Sequence, residues 1–93
     1  MRETRGKMGK KILIIDDDRV IQDSLHELFV DAGYVVHLAA DGISGFELIT
    51  REKPDIIVTD ILLPRMHGIA LCERIRGIDE LRNIPIILMT GVY

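Results

Sequence analysis

Four aspartates and two threonines stand where apolar runs stop: Asp16-Asp17-Asp18 after Ile12–Ile15, Thr59-Asp60 after Ile56–Val58, and Thr90 after Ile86–Met89. If those runs are neighbouring strands, carboxylates and a hydroxyl converge on one crevice. Clustered carboxylates repel each other, which raises their proton affinity unless a cation compensates. A set of hard oxygen ligands with no His or Cys beside it favours magnesium or manganese over zinc. Magnesium takes one or two carboxylates and completes its shell with water and phosphate oxygens, so the set also points to phosphoryl chemistry. One aspartate has a plainer use. An Asp directly before a helix caps it, and Asp18 is expected to do so.

The elements that must position these groups alternate along the chain. Lys11–Ile15 is a short apolar run, as a strand buried on both faces requires. Residues 19–32 place Ile21, Leu25, Leu28 and Phe29 at i, i+4, i+7 and i+8, an inward helical stripe, with Gly33 at the stop. A second strand is expected over 34–39 and a second helix over 42–51, started by Asp41, turning Phe46 and Ile49 inward and closed by Lys53-Pro54. A third strand over 55–59 follows, then a third helix over 69–77 with Leu71, Ile75 and Ile78 on one side, and a fourth strand over 85–89. This βαβαβαβ order predicts a parallel, doubly wound α/β sheet, because parallel neighbours need a crossover helix between them. Ligands of such sheets sit at the carboxyl ends of the strands. The acidic groups stand at those ends.

Composition narrows the function classes. Ninety-three residues allow one small domain, and 47% hydrophobic against 29% charged residues excludes a disordered or collagen-like chain. The single cysteine, Cys72, excludes a disulfide framework and suits a reducing compartment, here the cytoplasm. No run approaches the roughly 18 apolar residues of a membrane span. Residues 1–11 carry five basic groups against one acid, and taking that +4 from the net −3 leaves −7 on the rest. An acidic body argues against direct nucleic-acid binding. Residues 1–9 are read as a basic leader and residues 10–93 as the domain. His26, His37 and His67 are too scattered for a histidine metal site. Cys72 is read as a packing residue.

Three segments together resemble the receiver domains of two-component response regulators. Residues 11–19, KILIIDDDR, look like the first strand and acidic pair of that family. Residues 55–68, DIIVTDILLPRMHG, look like its phosphoacceptor strand, with Pro64 four and Gly68 eight residues after Asp60. Residues 84–91, IPIILMTG, resemble its fourth strand with the hydroxyl residue and a small neighbour. The likeness covers residues 10–93 in order.

The resemblance implies a flavodoxin-like sheet with strand order 2-1-3-4 and Asp60 as phosphoacceptor, taking a phosphoryl group from a sensor histidine kinase or phosphotransfer protein. Small phosphodonors are possible donors too. It further implies Mg²⁺ held by Asp17, Asp60 and the backbone carbonyl of Leu62, with Asp16 reaching the ion through water. Thr90 would hydrogen-bond the phosphoryl oxygen and Gly91 would leave it room. Pro64 and Gly68 would shape the loop between. Leu62 and Val92 flank the phosphoryl position without any group able to activate water, which implies slow hydrolysis. Such a domain is a self-phosphorylating signalling module rather than a turnover enzyme.

Two other readings stay open. Asp16-x-Asp18 after a hydrophobic strand also fits the opening motif of haloacid-dehalogenase-like phosphohydrolases, with Asp16 as nucleophile and Asp18 as acid/base. That reading leaves Asp60, Pro64 and Gly68 unexplained. A pseudo-receiver, a binding module that never carries phosphate, is the other. The family's fifth strand, its lysine and its fifth helix have no counterpart here, and Lys53 lies at the wrong end of the third strand to replace that lysine. The chain therefore reads as the four-strand portion of a longer one, with its fourth strand exposed as an edge open to self-association.

Overall fold

Four consecutive residues of the first strand, Ile12 to Ile15, are no more than 1% exposed, so this strand must be covered on both faces and paired on both edges. The computed structural model, which describes residues 9–90, does both. The elements are β1 (Lys11–Ile15), α1 (Arg19–Asp31), β2 (Val35–Ala39), α2 (Gly42–Glu52), β3 (Ile56–Asp60), α3 (Gly68–Arg76) and β4 (Ile86–Met89). All pairings are parallel and the order is β2-β1-β3-β4, as the alternation of elements predicts. The basic leader read over 1–9 lies outside the described residues apart from Gly9.

Side-chain alternation splits the core in two. Leu13, Ile15 and Ile57 face one way and pack with Ile49, Leu63, Leu71, Ile75 and Leu81. Ile12, Ile14 and Val58 face the other way, against Leu25 and Phe29 of α1 and against Tyr34, Val36 and Leu38. Phe29 and Tyr34 meet edge to face with ring centroids 5.5 Å apart, a favoured aromatic geometry.

The helix ends follow their local chemistry. Asp18 Oδ1 accepts from the backbone N–H of Val20 and Ile21 at 2.9 and 3.3 Å, the expected cap of α1. Asp41 caps α2 through the N–H of Ser44 at 2.8 Å. Gly33 follows α1 with φ +99°, a left-handed turn that costs glycine little. Lys53 closes α2 in the same region, with φ +45°, just before Pro54.

Boundaries fall within a residue of expectation, but two details differ. Asp60 is the last residue of β3 rather than the residue after it, and α3 begins at Gly68. In α1, Leu28 is 59% exposed, not part of the inward stripe, and Gln22 is buried in its place. The helix packs on β1 and β2, and its inward line runs through Gln22, Leu25 and Phe29 at i, i+3 and i+7. As expected, β4 is an apolar edge strand among the described residues, with Ile87 50% and Leu88 38% exposed.

Candidate metal and phosphoryl site

The acidic residues expected to converge do so. Carboxylate oxygens of Asp16, Asp17 and Asp60 all lie within 4.8 Å of one another. Asp16 and Asp17 follow β1 and Asp60 ends β3, and the direct pairing of these strands in parallel register brings the two ends together. Asp16 and Asp60 are buried, whereas Asp17 is exposed. This gives a cleft with two carboxylates on its floor and one at its lip.

The electrostatics of the floor favour a cation. Burial pushes the Asp16 carboxyl above its ordinary value. The bond from the Asp18 N–H opposes this shift, while the charges of Asp60, Asp17 and Asp18 add to it. That bond is 2.8 Å long and fixes Asp16 Oδ1. A divalent cation would relieve both the desolvation and the mutual repulsion, so the donor set fits magnesium.

The loop after Asp60 is tied down at several points. Asp60 Oδ1 accepts from the N–H of Leu62 at 3.2 Å, which brings the Leu62 backbone to the cleft while its side chain is 64% exposed. Gly68 donates its N–H to Ile61 O at 2.8 Å. A Cβ on Gly68 would stand 2.5 Å from Asp60 O and 2.9 Å from Ile61 Cα, so only glycine allows this approach to the acidic strand end. Pro64 O accepts from the N–H of Gly42, and Arg65 reaches Asp41 Oδ2 at 3.4 Å. The loop is thereby joined to the start of α2. Arg65 has φ +71°, an uncommon conformation for a non-glycine residue and a form of strain found near functional sites.

Thr90 is exposed and directly follows Met89, the β4 residue in register with Asp60. It therefore stands at the same end of the sheet as the acidic trio. Gly91 and Val92 lie outside the described residues. Asp18 does not join the trio, since its carboxylate caps α1. Two residues of the site's surroundings escaped the sequence reading. One is Arg65, which carries no advance signal. The other is Gln22, whose spacing to Leu25 and Phe29 was a usable one.

The chain is similar to known proteins both in sequence and in structure. The family described as the response regulator receiver domain matches residues 12–92. The response regulator MprA of Mycobacterium tuberculosis is 36% identical over 84 residues, covering 90% of this chain and 36% of that protein. The chain thus spans about a third of the length of the curated relatives it matches. Among solved structures, the chemotaxis response regulator CheY4 of Vibrio cholerae superposes with a TM-score of 0.84 at 28% identity, covering 87% of this chain and 68% of that one. The receiver domain of the sensor histidine kinase PA1611 from Pseudomonas aeruginosa has a TM-score of 0.82 at 34% identity, covering 86% and 66%. That structure has a magnesium ion coordinated in its active site cleft.

Proposed function

This chain belongs to the response regulator receiver domain family, and on that footing we propose that it accepts a phosphoryl group on Asp60 from a phosphohistidine donor. The observation that carries this is the meeting of Asp16, Asp17 and Asp60 within 4.8 Å at one end of a parallel sheet. A carboxylate oxygen of Asp60 attacks phosphorus, an O–P bond forms, the N–P bond of the phosphohistidine breaks, and the imidazole leaves with the electron pair. The donor is a sensor histidine kinase or phosphotransfer protein, and a small acyl phosphate can replace it. The product is a signalling state of the protein itself, not a released molecule.

The transition state of phosphoryl transfer is largely dissociative, so the protein's task is to place groups and balance charge. Asp17, Asp60 and the Leu62 carbonyl would hold Mg²⁺, with Asp16 acting through water. When bound, Mg²⁺ supplies the positive charge that offsets the acidic floor and the phosphoryl oxygens. Thr90 donates its hydroxyl to a phosphoryl oxygen from the neighbouring strand end. The relative with bound magnesium and the fit of the donor set support the choice of ion. No helix among the described residues is long and apolar enough to cross a membrane. The reading places the protein in the cytoplasm with its donors.

The Asp16/Asp18 phosphohydrolase reading is disfavoured, because Asp18 stands outside the acidic trio and its Oδ1 accepts two backbone N–H bonds as the cap of α1. For the receiver reading, intact mass after incubation with acetyl phosphate is the direct test. The expected result is one phosphoryl group, added only with Mg²⁺, labile to hydroxylamine, lost in Asp60→Asn and retained in Asp18→Asn. Equal labelling of Asp60→Asn would refute the assignment.

The apolar side that β4 exposes among the described residues supports a second element of the proposal: copies of this chain associate edge to edge. Sedimentation should show concentration-dependent association that Ile87→Lys suppresses, and a monomer at all concentrations would dispose of it.

A further inference from the structure

Gln22 is buried, although nothing in phosphoryl transfer calls for an amide there. Its Nε2 donates to Asp16 O and to Ala39 O, both at 3.0 Å. Ala39 O also accepts from the N–H of Asp16 at 3.1 Å. One side chain of α1 therefore ties together the carboxyl ends of β1 and β2 directly behind the acidic trio. A primary amide has two N–H donors, and here each has a backbone acceptor, which is what makes its burial tolerable. Without it, the Asp16 carbonyl would lose its partner at the point where the chain leaves the β1 strand.

We propose that Gln22 is a positioning residue for the cation site, acting through the Asp16–Asp17 peptide. The inference rests on the reading of the trio as a magnesium site. A peptide unit is planar, so holding the Asp16 carbonyl also fixes the plane of the Asp17 N–H and the direction in which Asp17 Cα departs. Asp17 is exposed, and no hydrogen bond among the described residues orients its carboxylate. Its placement over the cleft is thus set by the backbone that Gln22 holds. Asp16 is pinned twice, through its side chain by the Asp18 N–H and through its carbonyl by Gln22. Groups that orient metal ligands from outside commonly cost about 10–100-fold in metal affinity or activity when removed.

The test is a Mg²⁺ titration followed by amide resonance shifts on wild type, Gln22→Met, Gln22→Arg and Leu25→Ala. Saturable binding is expected in wild type, and its absence would count against the magnesium reading itself rather than against the role of Gln22. Gln22→Met keeps the volume but removes the donors, and should weaken Mg²⁺ binding about tenfold, the lower end of the loss seen when an outer partner is removed. Gln22→Arg restores donors and should recover most of that affinity. Leu25→Ala disturbs the seat of the same helix while leaving the amide in place, so its folded fraction should bind Mg²⁺ as wild type does. Wild-type affinity in Gln22→Met, or an equal loss in Leu25→Ala, would overturn the proposal. Should Gln22→Met not fold, the wild-type side-chain amide protons decide. They are expected to exchange slowly and to shift with Mg²⁺, and resonances that stay fixed through saturation would overturn it equally.

Discussion

Strands β1 and β4 are built from almost the same kinds of apolar residue and have opposite surroundings. Ile12-Leu13-Ile14-Ile15 is buried to 1% or less at every position. Ile86-Ile87-Leu88-Met89 contains no fully buried residue, and Ile87 is 50% exposed. Hydrophobicity therefore did not decide burial. Place in the strand order did, because β1 has a strand on each side and helices above and below, whereas among the described residues β4 pairs with β3 alone. Edge strands that face water usually carry a charge or a proline along their length. β4 carries neither, with Pro85 only at its foot.

The sharpest way to break this comparison is to make the same change in both strands. Ile14→Ala should cost about 3–4 kcal/mol, because the buried side chain leaves a cavity that its surroundings fill only in part. Ile87→Ala should cost about 1 kcal/mol or less, as half-exposed positions away from special features do. Urea unfolding of the two variants measures both, and equal losses would mean that β4 is covered in solution.

A smaller contrast lies in two glycines, one at the buried start of α3, packed against the end of β3, and one at the solvent-facing end of α3. In Gly68→Ala the new Cβ meets the Asp60 carbonyl and Ile61 Cα, both backbone atoms that cannot swing away. A loss of about 1–3 kcal/mol is expected, in the range of overpacking, along with weaker Mg²⁺ binding. Gly77 has φ −82°, and a Cβ there would have its nearest neighbour, Arg74 O, at 3.5 Å. Gly77→Ala should be neutral or stabilising by about 0.5 kcal/mol, because alanine loses less chain entropy on folding. Thermal unfolding of the pair with and without Mg²⁺ separates the packing effect from the effect on the site.

The same contrast explains what the sequence could tell. Parallel order and the acidic trio were legible, because alternating apolar runs and helical stripes leave few topologies, and carboxylates after strands 1 and 3 then have one place to go. Leu28 departs from the helical stripe for a physical reason. The apolar stripe of α1 is wider than the line it presses on β1 and β2, so periodicity alone could not say which edge of the stripe stays in water. Gln22 is not legible because a polar residue counts against burial until its acceptors are known, and those acceptors come from residues 6 and 17 positions away. Arg65 lies beyond any pattern, since a left-handed non-glycine residue is imposed by the loop around it.

The smallest expected effect concerns the amino end of β1, opposite the acidic cleft. Lys11 Nζ donates to Glu52 O at 3.2 Å and to Glu52 Oε1 at 3.3 Å, joining β1 to the last turn of α2. Chiefly through this Lys11 bond, the Glu52 carboxyl lies below its ordinary value despite an opposing contribution from burial, and Lys11 charge, Arg51 and His37 lower it further. His37 Nε2 is 3.8 Å from the same Oε1. A carboxyl held low in the folded state binds fewer protons there than in the unfolded chain, so its stabilising contribution is present above the ordinary glutamate range. That contribution is lost as pH falls through the lowered folded value. Glu52→Gln should therefore be slightly less stable near neutral pH and converge with wild type at strongly acidic pH. Added salt should shrink the neutral-pH gap, because the Lys11 ammonium and the Glu52 carboxylate are both partly exposed. The measurement is unfolding free energy against pH at low and high ionic strength. A gap that widened toward acid would show that the carboxylate is a burden to β1 and not a tie.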